Sequence, residues 1–137
     1  MSYKYFQPNK LDIKDKRGDC AIRALAKTFD CTWGEAFTMC IEPVLKHQVL
    51  FNDTNAKELN KVFEEIGLFY TGTTPKKGKK RQTVAEFAKS TKGDGKHYIA
   101  KVPHHFVAVY DGVYYDTWDS GKQLLYGYYT KEDKAGA

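Results

Sequence analysis

Gly18-Asp19-Cys20-Ala21-Ile22-Arg23-Ala24-Leu25 is the stretch from which the rest of the chain can be read. Ile22, Leu25, Ala26 and Phe29 recur at i, i+3, i+4 and i+7, the spacing of one buried helix face. Gly18 and Asp19 are start signals just ahead of it, so a helix is expected from Cys20 to about Phe29. Cys20 then occupies the first turn. There it meets the positive end of the helix dipole and several unpaired N–H groups, and both favour thiolate over thiol. Such a placement is a common way to build a nucleophilic cysteine. The plainer reading of the same residue is a small apolar side chain filling a helix start.

Downstream the helical period continues. Thr32-Trp33-Gly34-Glu35 has the form of a capping box. It opens a second helix with Trp33, Ala36, Phe37 and Cys40 on its inner face, which Pro43 is expected to end or bend. Residues 44–53 are ambiguous, and His47 among them has no partner at a suggestive spacing. Asp53 or Thr54 is expected to cap a third helix carrying Leu59, Val62, Phe63 and Ile66, with Gly67 as its stop. Leu68-Phe69-Tyr70 is a short candidate strand. Thr83-Val84-Ala85-Glu86 is a second capping box, predicting a short helix through about Lys89. Upstream, residues 1–17 are polar, lack a clear period, and are expected to form an extended arm.

From Tyr98 the period changes from 3.6 to 2. Strands are predicted at Tyr98–Val102, Phe106–Tyr110, Val113–Trp118 and Gln123–Tyr129, with a frayed tail from Lys131 to Ala137. Helices first and strands second indicate one α+β domain over residues 1–137, an antiparallel sheet packed against the N-terminal helices. A hydrophobic fraction of 42% and a charged fraction of 28% are ordinary for a globular domain, so the chain is expected to bury a real core. No apolar run approaches the length of about 18 residues that a membrane span needs, and MSYKYFQPNK lacks the apolar core of a secretory signal. A cytosolic location is therefore expected.

The three cysteines, Cys20, Cys31 and Cys40, form no CxxC pair, which argues against a zinc ribbon or a thioredoxin-type site and for free thiols in a reducing compartment. Neither a metal nor a cofactor is expected. Much of the net charge of +5 is local, in Lys76, Lys77, Lys79, Lys80 and Arg81. Pro75 and Gly78 break that run and no aromatic interleaves it for base stacking, so a hydrated loop or a contact to an acidic partner fits better than nucleic-acid binding.

The stretch His104-His105-Phe106-Val107-Ala108-Val109-Tyr110-Asp111-Gly112-Val113-Tyr114-Tyr115-Asp116-Thr117-Trp118-Asp119 reads as a hairpin with Asp111-Gly112 at its turn. A two-residue turn pairs Tyr110 with Val113, hence Val107 with Asp116 and His105 with Trp118. His105 and Asp116 become diagonal neighbours on one face, where the carboxylate can accept the imidazole N–H and fix its tautomer. The other ring nitrogen is then available to a thiol. His104 points to the opposite face, and His105 is preferred because Phe106 to Val109 follow it directly. Cysteine, histidine and carboxylate in this chain order satisfy the logic of nucleophile, base and orienter.

These residues resemble a known group. Gly18 to Leu25 is similar to the nucleophile motif of papain-like cysteine peptidases, including the ovarian-tumour deubiquitinases. His105-Phe106-Val107-Ala108-Val109 resembles the histidine strand of that superfamily. Asp116-Thr117-Trp118 stands where papain has Asn-Ser-Trp, and the whole resembles small papain-like proteins of bacteria and phages. The resemblance covers Gly18–Phe29 and Tyr98–Ser120 and leaves the middle unmatched.

It implies a papain-like fold with the site in a cleft between helices and sheet. It also implies a thiol hydrolase with Cys20 as nucleophile, His105 as base and Asp116 as orienter, needing no metal. Asp119 stays open as the third member, because the family's usual spacing from His is longer than that to Asp116. The family often carries a Gln shortly before the Cys to build the oxyanion hole. Lys14 stands there instead, and Gln7 is remote in sequence. The hole is expected from the Cys20 backbone N–H with Asp19 or Gly18. Peptide, isopeptide and acyl-transfer chemistry all fit such a triad. So, in other classes, do an inactive papain-like binding module of a virus or mobile element and a small basic nucleic-acid binder.

Overall fold

Both periodicities in the sequence are realised in the structure, a computed structural model that describes residues 2–10, 18–50, 57–75 and 77–131. Apolar residues three and four apart wind α1 (Cys20–Thr28), α2 (Trp33–His47), α3 (Glu58–Glu65) and α4 (Val84–Ser90). Extended segments form β1 (Tyr3–Tyr5), β2 (Leu68–Gly72), β3 (His97–Val102), β4 (His105–Tyr110), β5 (Val113–Asp116) and β6 (Gly127–Lys131). Among the described residues these make an α+β fold of four helices and one six-stranded mixed sheet, ordered β1-β5-β4-β3-β6-β2.

The helix signals act largely as expected. Thr32 and Thr83 each complete a capping box, with Glu35 and Glu86 returning to the cap N–H. Phe29 caps α1 instead of extending it. The α3 stripe of Leu59, Val62 and Phe63 is buried, and Gly67 stops the chain at φ 91°. Its expected caps, Asp53 and Thr54, lie outside the described residues.

α2 does not end at Pro43: it runs through it to His47 and ends at Gln48 in the left-handed region. An internal proline removes one hydrogen bond and crowds the preceding turn. Pro43 is buried with Ala36 and Cys40, and packing of α2 on α1 and α3 holds the helix across it. Phe37, expected to face inward, is 39% exposed and stacks on Trp33 instead.

The sheet departs from the expected antiparallel one in two ways. β1 comes from the N-terminal arm and lies parallel to β5 at one edge, while β2 pairs with β6 at the other. Three residues are too few to show a period, so β1 was not legible from alternation. Its place is held by Tyr3 packing on Tyr114 at 5.6 Å and by the Phe6 N–H bonding the Asp116 carbonyl at 2.9 Å. Helices also cover both faces. α1, α2 and α3 pack on one through Leu25, Phe63, Phe106 and Tyr129, and α4 packs on the other through Phe87, Val107 and Val109. A strand buried on both sides has no polar face, which accounts for the uninterrupted Phe106-Val107-Ala108-Val109.

β6 begins at Gly127, later than the predicted Gln123. Leu124 is used instead in an isolated bridge to Thr83, and a Cβ at residue 127 would come within 2.2 Å of the Tyr70 hydroxyl. Lys131 still pairs with Leu68, and the rest of the predicted tail lies outside the described residues.

The hairpin turn is as expected. Asp111 at φ 48° and Gly112 at φ 80° form a two-residue turn with both central residues left-handed, and Tyr110 pairs with Val113. β5 ends at Asp116, so Trp118 is not the ladder partner of His105. His105 opens β4 and Asp116 closes β5 at one end of the hairpin, and α1 packs against β4.

Candidate active site

Cys20 is the first residue of α1 and is 7% exposed. No side chain caps this turn. The Asp19 carboxylate, free of that duty, is bridged to Arg23 one turn on and accepts the Trp33 indole N–H at 3.0 Å. All three cysteines are free. Burial pushes the Cys40 thiol up to about 12 and also raises that of Cys31, which Glu35 and Asp30 raise further.

His105 follows a two-residue turn, Pro103-His104, in which His104 takes φ 55° and is exposed. That turn pairs Val102 with His105 and buries the second histidine of the pair. The His105 Nε2 lies 2.6 Å from Asp116 Oδ2, and the Cys20 thiol lies near enough to the ring to act on its ionisation. With Nε2 committed to the carboxylate, Nδ1 is left for the thiol. Trp118 lies 5.1 Å from the imidazole, ring to ring, and covers one side of it. Burial alone would lower the His105 pKa. The hydrogen bond to Asp116 and the nearby Cys20 thiol, together with their charges, outweigh burial and raise it to about 9.

Asp116 is 3% exposed, and its carboxylate is fully engaged. Oδ2 meets His105 and accepts the Ser120 hydroxyl at 2.7 Å, Oδ1 accepts the Thr117 N–H at 2.8 Å, and Arg23 Nη2 stands 3.7 Å from Oδ1. Asp119, the alternative third member, is used elsewhere. It accepts the Tyr114 hydroxyl and the Gly121 N–H, and these bonds hold its carboxyl below the usual range. The structure therefore brings Cys20, His105 and Asp116 together and leaves His104 and Asp119 outside the cluster.

Ser120 and Arg23 complete the surroundings of Asp116 without having been anticipated. Ser120 carries no sequence signal. Arg23 does, because Asp19 and Arg23 stand at the i,i+4 spacing of a helix ion pair. Lys14 lies outside the described residues. Gln7 follows Phe6, whose N–H bonds the Asp116 carbonyl, and the Gln7 amide oxygen accepts the Asn9 N–H at 3.0 Å. A cavity of about 630 Å³ borders Asp19, lined by Pro8, Asn9, Lys10, Thr32, Trp33 and Gly34. His47 has a partner that spacing did not suggest, Glu65 of α3. In the basic segment Arg81 is held by the Thr73 carbonyl and lies over the Tyr126 ring, while Lys77, Lys79 and Lys80 are exposed.

No family model matches this chain, and neither does any curated protein or solved structure. The chemistry therefore rests on the geometry. Among the described residues no three His, Cys, Asp or Glu side chains converge as a metal site would require, and no helix is long and apolar enough to cross a membrane.

The raised His105 pKa predicts a pH-dependent stability. A group whose folded pKa exceeds its unfolded value stabilises fully below the unfolded value, about 6.5 for histidine, and that contribution is lost as pH rises through the folded value. Urea unfolding is expected to show stability falling between about 6.5 and about 9. Subtracting the same curve for Asp116→Asn isolates this slope from cysteine ionisation. Parallel curves for the two proteins would rule the linkage out.

Proposed function

We propose that this chain is a papain-like thiol hydrolase acting on a peptide or isopeptide bond, with Cys20 as nucleophile, His105 as base and Asp116 as orienter. The observation that carries the reading is the buried His105–Asp116 hydrogen bond beside the buried Cys20 thiol at a helix start. His105 takes the proton of Cys20, and the thiolate attacks the carbonyl carbon. The amide N–H groups at the uncapped start of α1 are donors for the developing oxyanion. His105 then protonates the leaving amine, and water deprotonated by His105 releases the acyl group. Asp116, held by Ser120 and Thr117, keeps the imidazole oriented through both halves. The exposed Lys77, Lys79 and Lys80 favour an acidic substrate or partner at that end of the molecule.

The test uses a peptide library and ubiquitin-like tails carrying a C-terminal fluorogenic amide, together with matching electrophilic probes. Hydrolysis is expected, with covalent capture at Cys20 alone, and Cys20→Ala should lower turnover by about 10⁴-fold or more. If Cys20 captures no probe and reacts with none of the electrophiles faster than Cys31 does, the reading fails.

A further inference from the structure

We propose that Arg23 is a positioning residue that sets the charge balance of the Cys20–His105 pair from behind Asp116. The inference rests on the thiol-hydrolase reading above. Arg23 lies one turn after Cys20 on α1, with its side chain 15% exposed. Its guanidinium stands between two carboxylates, paired with Asp19 through Nη1 and 3.7 Å from Asp116 through Nη2. Asp19 is the residue covalently ahead of Cys20, and Asp116 is the hydrogen-bond partner of His105. The groups therefore form a closed ring. It runs from the Cys20 thiol to His105, Asp116, Arg23 and Asp19, and returns to Cys20 through one peptide unit. With Cys20 and His105 as a thiolate–imidazolium pair, the charges alternate from Cys20 through His105, Asp116 and Arg23 to Asp19, and the ring closes on two negative members, Asp19 and the thiolate, with Arg23 the nearest cation to the first.

The place of Arg23 between two carboxylates gives it a definite effect. Buried charges are weakly screened, so each member of the ring is felt at the next. Arg23 offsets the field of Asp19 on the thiolate and that of Asp116 on the imidazolium. Among the described residues the other charged or titratable groups nearby are few. Lys10 of the N-terminal arm borders the cavity with Asp19, and the Tyr3 hydroxyl donates to the Asp116 backbone carbonyl. Asp119, after β5, is tied to Tyr114. From α2 the Asp19 carboxylate receives only the neutral Trp33 indole. None of these places a second cation between the two carboxylates.

The experiment follows the rate of Cys20 carboxamidomethylation by iodoacetamide against pH, with peptide mapping to separate it from Cys31 and Cys40. The readout is the acid-side and alkaline-side midpoints of the profile. Arg23→Gln makes the site more negative and is expected to move both midpoints up by about half to one pH unit. Asp19→Asn makes it more positive and is expected to move both down by a similar amount. The double variant Asp19→Asn/Arg23→Gln restores the net charge and should return both close to the wild-type values. Arg23→Lys keeps the charge as a single point and should leave them in place.

Single variants that shift in the same direction, or not at all, overturn the proposal, since loss of packing alone predicts slower reaction with unmoved midpoints. If Arg23→Gln fails to fold, Asp19→Asn and Arg23→Lys decide, the first needing a downward shift and the second none. A wild-type profile in which Cys20 tracks Cys31 and Cys40 overturns the hydrolase reading together with this one. A distinct Cys20 profile that the variants do not move overturns this one alone.

Discussion

His105→Ala will slow the reaction of Cys20 with iodoacetamide at pH 7 by about 100-fold, the lower end of what a positioned base contributes. The rates of Cys31 and Cys40 will not change. In the wild type Cys20 should react first. Exposure alone predicts another order, because Cys20 is 7% exposed and Cys31 is the more accessible thiol. The reactive species is the thiolate, and an imidazole that stays protonated to about pH 9 beside the thiol supplies the compensating charge. Burial has the opposite effect at Cys40, whose thiol is pushed up to about 12, with Cys31 raising it further. Quenched alkylation with mass mapping of each cysteine gives all three rates in one measurement. Equal rates for Cys20 and Cys31 in the wild type would remove the basis for calling the cysteine a nucleophile.

Asp116→Ala should be the most damaging single change for stability, about 3–5 kcal/mol by urea unfolding, the range for removing one partner of a buried charge pair. The substitution strips partners from His105, Ser120 and the Thr117 N–H and leaves the Arg23 guanidinium with Asp19 alone. Buried polar groups left unsatisfied carry the full desolvation cost. Asp116→Asn is gentler, because an amide of the same shape still accepts from the Thr117 N–H while its NH2 group can donate to the Ser120 hydroxyl oxygen, yet it removes the charge that raises His105. Asp119→Ala disturbs the turn at Gly121 and the Tyr114 hydroxyl but leaves the His105 titration, followed by NMR, where it was. Were Asp119→Ala to lower the His105 pKa while Asp116→Ala left it unmoved, the assignment of the carboxylate would reverse.

The site was more legible in the sequence than the sheet that carries it, for physical reasons that differ residue by residue. Asp111-Gly112 demands positive φ at both positions, which sets the hairpin register and so brings His105 to Asp116. Gly18, at φ 66°, marks the start of α1 by the same kind of local chemistry, although the Asp19 side chain does not cap it. The capping boxes at Thr32 and Thr83 are closed within four residues and needed nothing from the rest of the fold. What the sequence did not disclose depends on distant packing. β1 is three residues long and has its partner at the far end of the chain. Pro43 reads as a breaker until the neighbours that hold α2 are known. Gly127 opens β6 because Tyr70 crosses there, a contact no local pattern encodes. Ser120 falls on Asp116 only because the chain turns after Asp119.

The pairing of β1 with β5 has a consequence for biosynthesis. The thiol at residue 20 leaves the ribosome well before His105 and Asp116 are synthesised. The edge strand Tyr3–Tyr5 cannot dock until β5 exists, because its neighbours are Tyr114, Tyr115 and Asp116. At typical elongation rates of roughly 5–20 residues per second, the nascent chain spends several seconds with a cysteine but no partner for it. Contacts between segments so far apart in sequence form slowly. Juxtaposition of Cys20 and His105 is thereby tied to synthesis of β4 and β5, and a truncated product ending before His105 would carry the thiol without its imidazole.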